Sequence, residues 1–355
     1  MGLSYELVLW NKHKKRYDKW IALAVLSYLL TFVAITIITN PETSVETLII
    51  RAFGTLALAL LHVILVIGPL ARLNKRFLPL LYNRRHLGVS MFLASLIHGG
   101  FSMFQFHALG DVNPIYSIFT SNLEYNSLVD FPFQTLGFFA LIIFFLMAAT
   151  SHDFWLKNLS PKTWKRLHMM VYLAYALVVL HVFLGAFQQQ PAIGSIGLLG
   201  LGFVLVTGLH LYTGFKERKV DRQKSKVIEE GWEFVCEVDE IPEDRAKIFT
   251  LKKERIAVFK YENMLSAIAN VCKHQGGPLG EGKVVDGCVT CPWHGYQYLP
   301  HNGQSPPPFE EKVATYRLKK IGSKIYVHQE AFPEGTAVEP VIFAYIVWRK
   351  RTIFI

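Results

Sequence analysis

Lysine, arginine, aspartate and glutamate are missing from six stretches of this 355-residue chain: Trp20 to Thr39, Ala52 to Leu70, His86 to Phe106, Phe133 to Ala149, Leu167 to Phe187 and Ile193 to Tyr212. Each is long enough to cross a hydrocarbon layer of about 30 Å as a helix. Six such runs in succession, joined by short polar connections, exclude an ordinary soluble core and predict a six-helix membrane bundle. The hydrophobic excess, 52% of all residues, lies almost wholly before residue 215.

Other absences narrow the function. Four cysteines in a chain whose soluble part is expected in the cytoplasm argue against a disulfide framework and leave metal ligation or inert thiols. No Gly-x-Gly-x-x-Gly fingerprint follows a strand and opens a helix, so a nicotinamide or flavin Rossmann domain is not expected. The N-terminus has no short apolar region with a small-residue cleavage site, so the first span is expected to stay as an anchor. No internal repeat or low-complexity tract stands out.

A net charge of +10 raises the question of nucleic acid, but the bases of the membrane part sit in short loops on one side of the six-span scheme, with Arg51 at a span border the one exception. Lys12, Lys14, Lys15, Arg16 and Lys19 precede the first span. Arg72, Lys75, Arg76, Arg84 and Arg85 lie between the second and third, and Lys157, Lys162, Lys165 and Arg166 between the fourth and fifth. The opposite loops carry Glu42, Glu46, Asp111, Glu124 and Asp130. Excess positive charge marks the cytoplasmic side, which places both termini there and accounts for the bases through topology and anionic headgroups. No nucleic-acid partner is expected.

Past Tyr212 the chain runs through Lys216-Glu217-Arg218-Lys219 and a polar stretch, then changes to short strand-like runs: Arg255 to Tyr261, Leu265 to Ala269, Lys283 to Thr290 and Lys324 to Val327. The expected organisation is a cytoplasmic segment 1–19, a transmembrane domain 20–215, a linker 216–230, a soluble all-β domain 231–330 and a tail 331–355. Val341 to Ile355 reads as an edge strand or an interfacial anchor.

Within the β domain stand Cys272-Lys273-His274-Gln275-Gly276-Gly277-Pro278-Leu279 and Cys291-Pro292-Trp293-His294-Gly295. Two loops each offer one thiol and one imidazole. A Rieske [2Fe–2S] cluster needs this division, because two thiolates hold one iron and two imidazoles the other. Zinc is the rival, but its sites pair cysteine with cysteine more often than they mix the pairs. Glycines beside the ligands suit close approach of backbone N–H groups to sulfur. Cys236 and Cys288 are expected to be inert.

Residues 231 to 328 resemble a Rieske-type ferredoxin domain, on those two loops, the following Tyr296-Gln297-Tyr298 and the proline-rich turn Pro306-Pro307-Pro308. Rieske proteins of cytochrome bc complexes have a disulfide between the loops; the corresponding places here are Gly277 and Trp293, so the resemblance is to the ferredoxin and oxygenase branch. It implies Cys272, His274, Cys291 and His294 as ligands. No further soluble region is large enough for an oxygenase's catalytic iron domain.

Histidines in the spans are functional candidates because ionisable groups are costly there. His86 and His98 lie on the third span, His168 and His181 on the fifth, one of each near the inner surface and one about 18–20 Å further along. One histidine from each of two helices at two heights offers axial ligands for b-type haem. Spacings of twelve and thirteen residues turn the two ligands of a helix by about 120° and 140°, so they do not share a face.

Spans two to six resemble the ferric-reductase-like transmembrane domain of NADPH oxidases, iron reductases and bacterial methionine sulfoxide repair, on Arg84-Arg85-His86-Leu87-Gly88, His98 and the His168/His181 pair. That resemblance implies one or two haems b. His62 and His210 read as packing or quinone-contacting residues, and His107, His152 and His301 as surface or loop residues.

The expected function is electron transfer between a cytoplasmic Rieske cluster and intramembrane haem, across the membrane to a quinone or an extracytoplasmic acceptor. A flavoprotein reductase or ferredoxin would be the donor, and the setting a bacterial plasma membrane and its lipid. Two alternatives stand: an electron-supplying subunit of a membrane oxygenase or desaturase, and a non-enzymatic redox sensor.

Overall fold

A computed structural model describes residues 12–81, 84–152, 155, 159–188, 193–221, 227–229, 231–252, 254–293 and 295–343. They form two compact units, one ending at Gly214 and the other starting at Phe215.

The first unit is helical: α1 Lys12–Thr39, α2 Val45–Leu73, α3 Arg84–His107, α4 Pro114–Thr120, α5 Phe133–Ala149, α6 Pro161–Met169, α7 Val171–Gln188 and α8 Ile193–Asp221. Among the described residues, five segments are long and apolar enough to cross a membrane: Lys15–Thr39, Val45–Leu73, Arg84–His107, Thr163–Ala186 and Ile196–Arg218. A further apolar helix, α5, has 17 residues and is shorter. Thr163–Ala186 joins α6 to α7 through Met170.

Helix starts follow local chemistry. Ser44 accepts the Thr47 N–H ahead of α2, Asn113 caps α4 before Pro114, and Ser160 caps α6 before Pro161. The bundle closes around Leu61, Leu65, Met91, Ala140, Ile143, Phe144, Ala174, Tyr175 and Val206, drawn from α2, α3, α5, α7 and α8. Large apolar side chains such as Leu30 and Ile38 point outward, 62% and 80% exposed, the reverse of a soluble bundle.

The second unit is antiparallel β. Its larger sheet runs β1 Val227–Glu229, β2 Trp232–Glu237, β10 Lys324–Phe332, β9 Thr315–Ile321, β5 Met264–Ala269, β4 Glu254–Tyr261 and β3 Arg245–Leu251, in that order. A smaller sheet holds β6 Lys283–Val285, β7 Cys288–Thr290 and β8 Gln297–Tyr298. The single run read from Lys283 to Thr290 is two strands, because Asp286 and Gly287 both have positive φ (50° and 74°) and turn the chain back, the preference of Asp-Gly in tight hairpins. β11, Val341–Ile342, adds to β5 as an edge strand; residues 344 to 355 of the tail lie outside the described residues.

Candidate redox sites

In the β unit, both cluster loops close in the same way. Cys272 donates its N–H to Gly277 O and accepts from Gly276 N–H, at 2.8 and 2.7 Å; Cys291 donates to Tyr296 O and accepts from Gly295 N–H, at 2.7 and 2.9 Å. Gly276 and Gly295 have φ of 73° and 75°, a left-handed turn open to glycine at little cost. Cys272 and Cys291 are each 1% exposed and sit in one apolar cluster with Leu279, Tyr296 and Tyr298.

Their sulfurs are close enough to share a hydrogen bond. Burial pushes the Cys272 thiol up, but hydrogen bonds from Cys291, Tyr298 and the backbone N–H groups of His274 and Gln275 outweigh it and hold the thiol below its ordinary range. The Tyr298 hydroxyl is oriented towards the sulfur. It accepts the Lys273 N–H at 3.0 Å, so its own proton points to Cys272 Sγ, 3.4 Å away. Burial and the neighbouring Cys272 push that phenol far up, keeping it a donor.

Gly277 is fixed by crowding. A Cβ there would lie 2.8 Å from Cys291 Sγ and 3.1 Å from the Trp293 ring, so a side chain does not fit at this place. His274 leaves the loop to stack on Tyr296, with centroids 4.9 Å apart and planes 9° from parallel, and the Tyr296 hydroxyl donates to Glu311.

His294 lies outside the described residues. Among the described residues no three metal-binding side chains converge on one point. A two-iron cluster does not ask them to, because thiolates and imidazoles bind different irons. Two buried sulfurs in mutual contact, one surrounded by hydrogen-bond donors, with an imidazole held on the same loop, fit a [2Fe–2S] donor set. Cys236 and Cys288 are buried elsewhere; burial pushes Cys236 up to about 12 and also raises Cys288, leaving both inert at neutral pH.

In the helical unit the structure brings His98 and His181 together. Their ring centroids are 6.2 Å apart at 81°. His98 Nδ1 donates to Ile50 O at 2.8 Å and His181 Nδ1 to Phe133 O at 2.9 Å, which directs each Nε2 lone pair away from the backbone. Two bonds of about 2 Å to one shared metal place imidazole centroids about 6 Å apart, so His98 and His181 could together hold one metal such as a haem iron.

The structure does not bring His86 and His168 together. His86 Nδ1 pairs with Asp18 of α1 at 2.8 Å, and His168 stacks on Trp164 at 3.8 Å while its Nδ1 bonds Trp164 O. His62 is bonded to Leu58 O and to the Tyr175 hydroxyl, and His210 to Val206 O. His107, read as a surface residue, is 7% exposed and bonded to Ser117, because α4 folds back over the end of α3.

Comparison with known proteins finds a family in each unit. Residues 231–317 match the family described as Rieske [2Fe-2S] domain, and residues 53–179 the ferric reductase like transmembrane component. The anthranilate 1,2-dioxygenase ferredoxin subunit of Burkholderia cepacia is 31% identical over 98 residues, 27% of this chain and 91% of that protein. The chain belongs to the Rieske [2Fe–2S] family.

The Rieske domain is joined to a ferric-reductase-like transmembrane domain. The heme-binding subunit MsrQ of protein-methionine-sulfoxide reductase from Herminiimonas arsenicoxydans is 34% identical over 134 residues, 38% of this chain. The chain spans 56% of that relative's length. Among solved structures, the ferredoxin of carbazole 1,9a-dioxygenase from Nocardioides aromaticivorans IC177 is 21% identical, covering 27% of this chain and 96% of that one, with a TM-score of 0.26. The chain is a multi-pass membrane protein that joins a Rieske [2Fe–2S] domain to a ferric-reductase-like part similar to a heme-binding subunit.

Proposed function

We propose that the chain carries single electrons between a cytoplasmic cluster held by Cys272, His274, Cys291 and His294 and a haem b held between His98 and His181, and on to a quinone or an acceptor at the opposite face. The opposed imidazoles of His98 and His181 carry this reading: their Nδ1 atoms are anchored to backbone carbonyls and both Nε2 atoms remain for one metal. Bound cofactors supply two one-electron couples.

The chain's own residues set their environment. Tyr298 and the loop N–H groups stabilise negative charge on Cys272, and Tyr296 holds the His274 ring in one plane. The one-sided basic loops favour cytoplasmic termini in a bacterial plasma membrane, and the proposed division is 20–215 for the haem domain, 216–230 for the linker, 231–330 for the Rieske domain and 331–355 for the tail. A flavoprotein reductase or another ferredoxin would feed the cluster. His86 and His168 are the candidates for a second haem, which would require them to leave Asp18 and Trp164.

The test is a reduced-minus-oxidised visible spectrum of the purified protein with haem, iron and sulfide counted per chain. One haem assigns His98 and His181; two add His86 and His168; iron and sulfide without haem refute the relay.

A second reading, an electron-supplying subunit for an oxygenase or desaturase in another chain, is favoured by the names of relatives such as the dioxygenase ferredoxin subunits. It requires a stable complex and turnover only with that partner present.

A further inference from the structure

Resting on the haem assignment above, we infer that the hairpins α2–α3 and α5–α7 are a structural repeat whose equivalent histidines, His98 and His181, would hold one haem between them, and that Gly54 and Gly137 are its equivalent positioning residues. Two separate interactions recur at a single sequence offset, and a third recurs to within one residue. His98 bonds Ile50 O and His181 bonds Phe133 O, each across 48 residues.

One helical turn past each acceptor a glycine lies against the same ring. A Cβ on Gly54 would stand 2.7 Å from His98 Nδ1, and one on Gly137 would stand 2.7 Å from His181 Cε1 and 2.8 Å from its Nδ1. At the far end of the second helix in each hairpin a glutamine ties back to the start of the first: Gln105 Nε2 to Thr47 Oγ1 at 3.4 Å, and Gln188 Nε2 to Phe131 O at 2.7 Å.

Faint sequence identity follows the same offset. Gly54, Ala57 and Leu58 align with Gly137, Ala140 and Leu141, and Phe104-Gln105 with Phe187-Gln188. Coincidence accounts poorly for backbone acceptor, ring floor and terminal tie together.

Two imidazoles related in this way approach a common centre from opposite sides with the same anchoring. Each glycine sets how far its ring sits back against the helix, since any side chain would push the imidazole off its carbonyl and towards the partner ring. The equivalence stops at the inner histidines: Arg85 stands where the second hairpin has His168, and Met169 where the first has His86. The repeat therefore covers the outer pair alone and does not extend to His86 and His168.

Full-length protein in lipid nanodiscs tests this with Gly54→Ala, Gly137→Ala and the control Gly100→Ala, whose added Cβ meets nothing within 4 Å. Haem per chain, the ferric EPR spectrum and the haem midpoint potential are measured. The expected result is haem in the native protein, with the spectrum and potential of both glycine variants displaced from it in the same direction and by similar amounts, and Gly100→Ala unchanged. Should a glycine variant not accumulate, Gln105→Leu and Gln188→Leu are the milder matched pair, with the same expectation.

A native protein without haem refutes the assignment and the inference together. One or two haems with the native spectrum kept in either glycine variant, or with opposite shifts in the two, leave the assignment standing and overturn the repeat.

Discussion

His98 and His181 face each other with ring centroids 6.2 Å apart, each fastened by Nδ1 to a carbonyl of a neighbouring helix. The pair is complete without the inner histidines. Replacing either His98 or His181 by Ala is expected to lower haem content about tenfold or more, as losing a metal ligand or its support does. His86→Ala is expected to keep the haem, because His86 is paired with Asp18. The pyridine haemochrome assay on purified variants checks both.

At the cluster, the Tyr298 hydroxyl directs its proton to Cys272 Sγ. Hydrogen bonds to the sulfurs favour the reduced, more negative cluster. Tyr298→Phe should lower the cluster potential by several tens of millivolts, the one-electron equivalent of a hydrogen bond of about 1–2 kcal/mol. Redox titration followed by EPR measures it; an unchanged potential means the hydroxyl does not act on the cluster.

Gly277 faces Cys291 Sγ and the Trp293 ring at distances that leave no room for a methyl group. Gly277→Ala should destabilise the loaded Rieske domain by about 1–3 kcal/mol through overpacking and shed cluster on heating. Gly287→Ala, with open space but φ of 74°, should act only through backbone strain and keep the cluster. Thermal melts followed by the loss of cluster absorbance separate the two.

Cys236 supplies a pH prediction. Burial raises its thiol to about 12, above the ordinary value of 9.0. Its contribution to stability is fully present below pH 9, where both folded and unfolded thiols are protonated, and is lost as pH rises from about 9 to about 12. Cys236→Ala should flatten that alkaline decline in denaturant titrations at fixed pH steps, even though its own packing loss lowers stability throughout.

Much of this is legible in the sequence, and the limits have physical causes. Charge-free runs mark spans because a charge in hydrocarbon is costly, and mixed Cys/His loops mark the cluster because thiolate and imidazole bind different irons. The angular mismatch between His86 and His98 is readable from helical period alone, but the partner that takes His86, Asp18 on α1, is separated by 68 residues and lies in no local pattern. The repeated hairpin is faint in the sequence because lipid-facing positions accept any apolar residue; a few residues around the glycines, the histidines and the glutamines keep its offset. Nothing around Tyr296 signals that its ring carries His274.

Electron passage from the Rieske domain to the haem is the central claim, and the most direct test follows haem reduction in nanodiscs after mixing with a chemically reduced soluble ferredoxin or flavoprotein reductase. Native protein and Cys291→Ser, which removes a sulfur ligand while leaving the helical unit untouched, are compared. The account predicts an intact haem spectrum in both and rapid haem reduction only in the native protein. Equal rates in the two would contradict it, because the electrons would then reach the haem without the cluster.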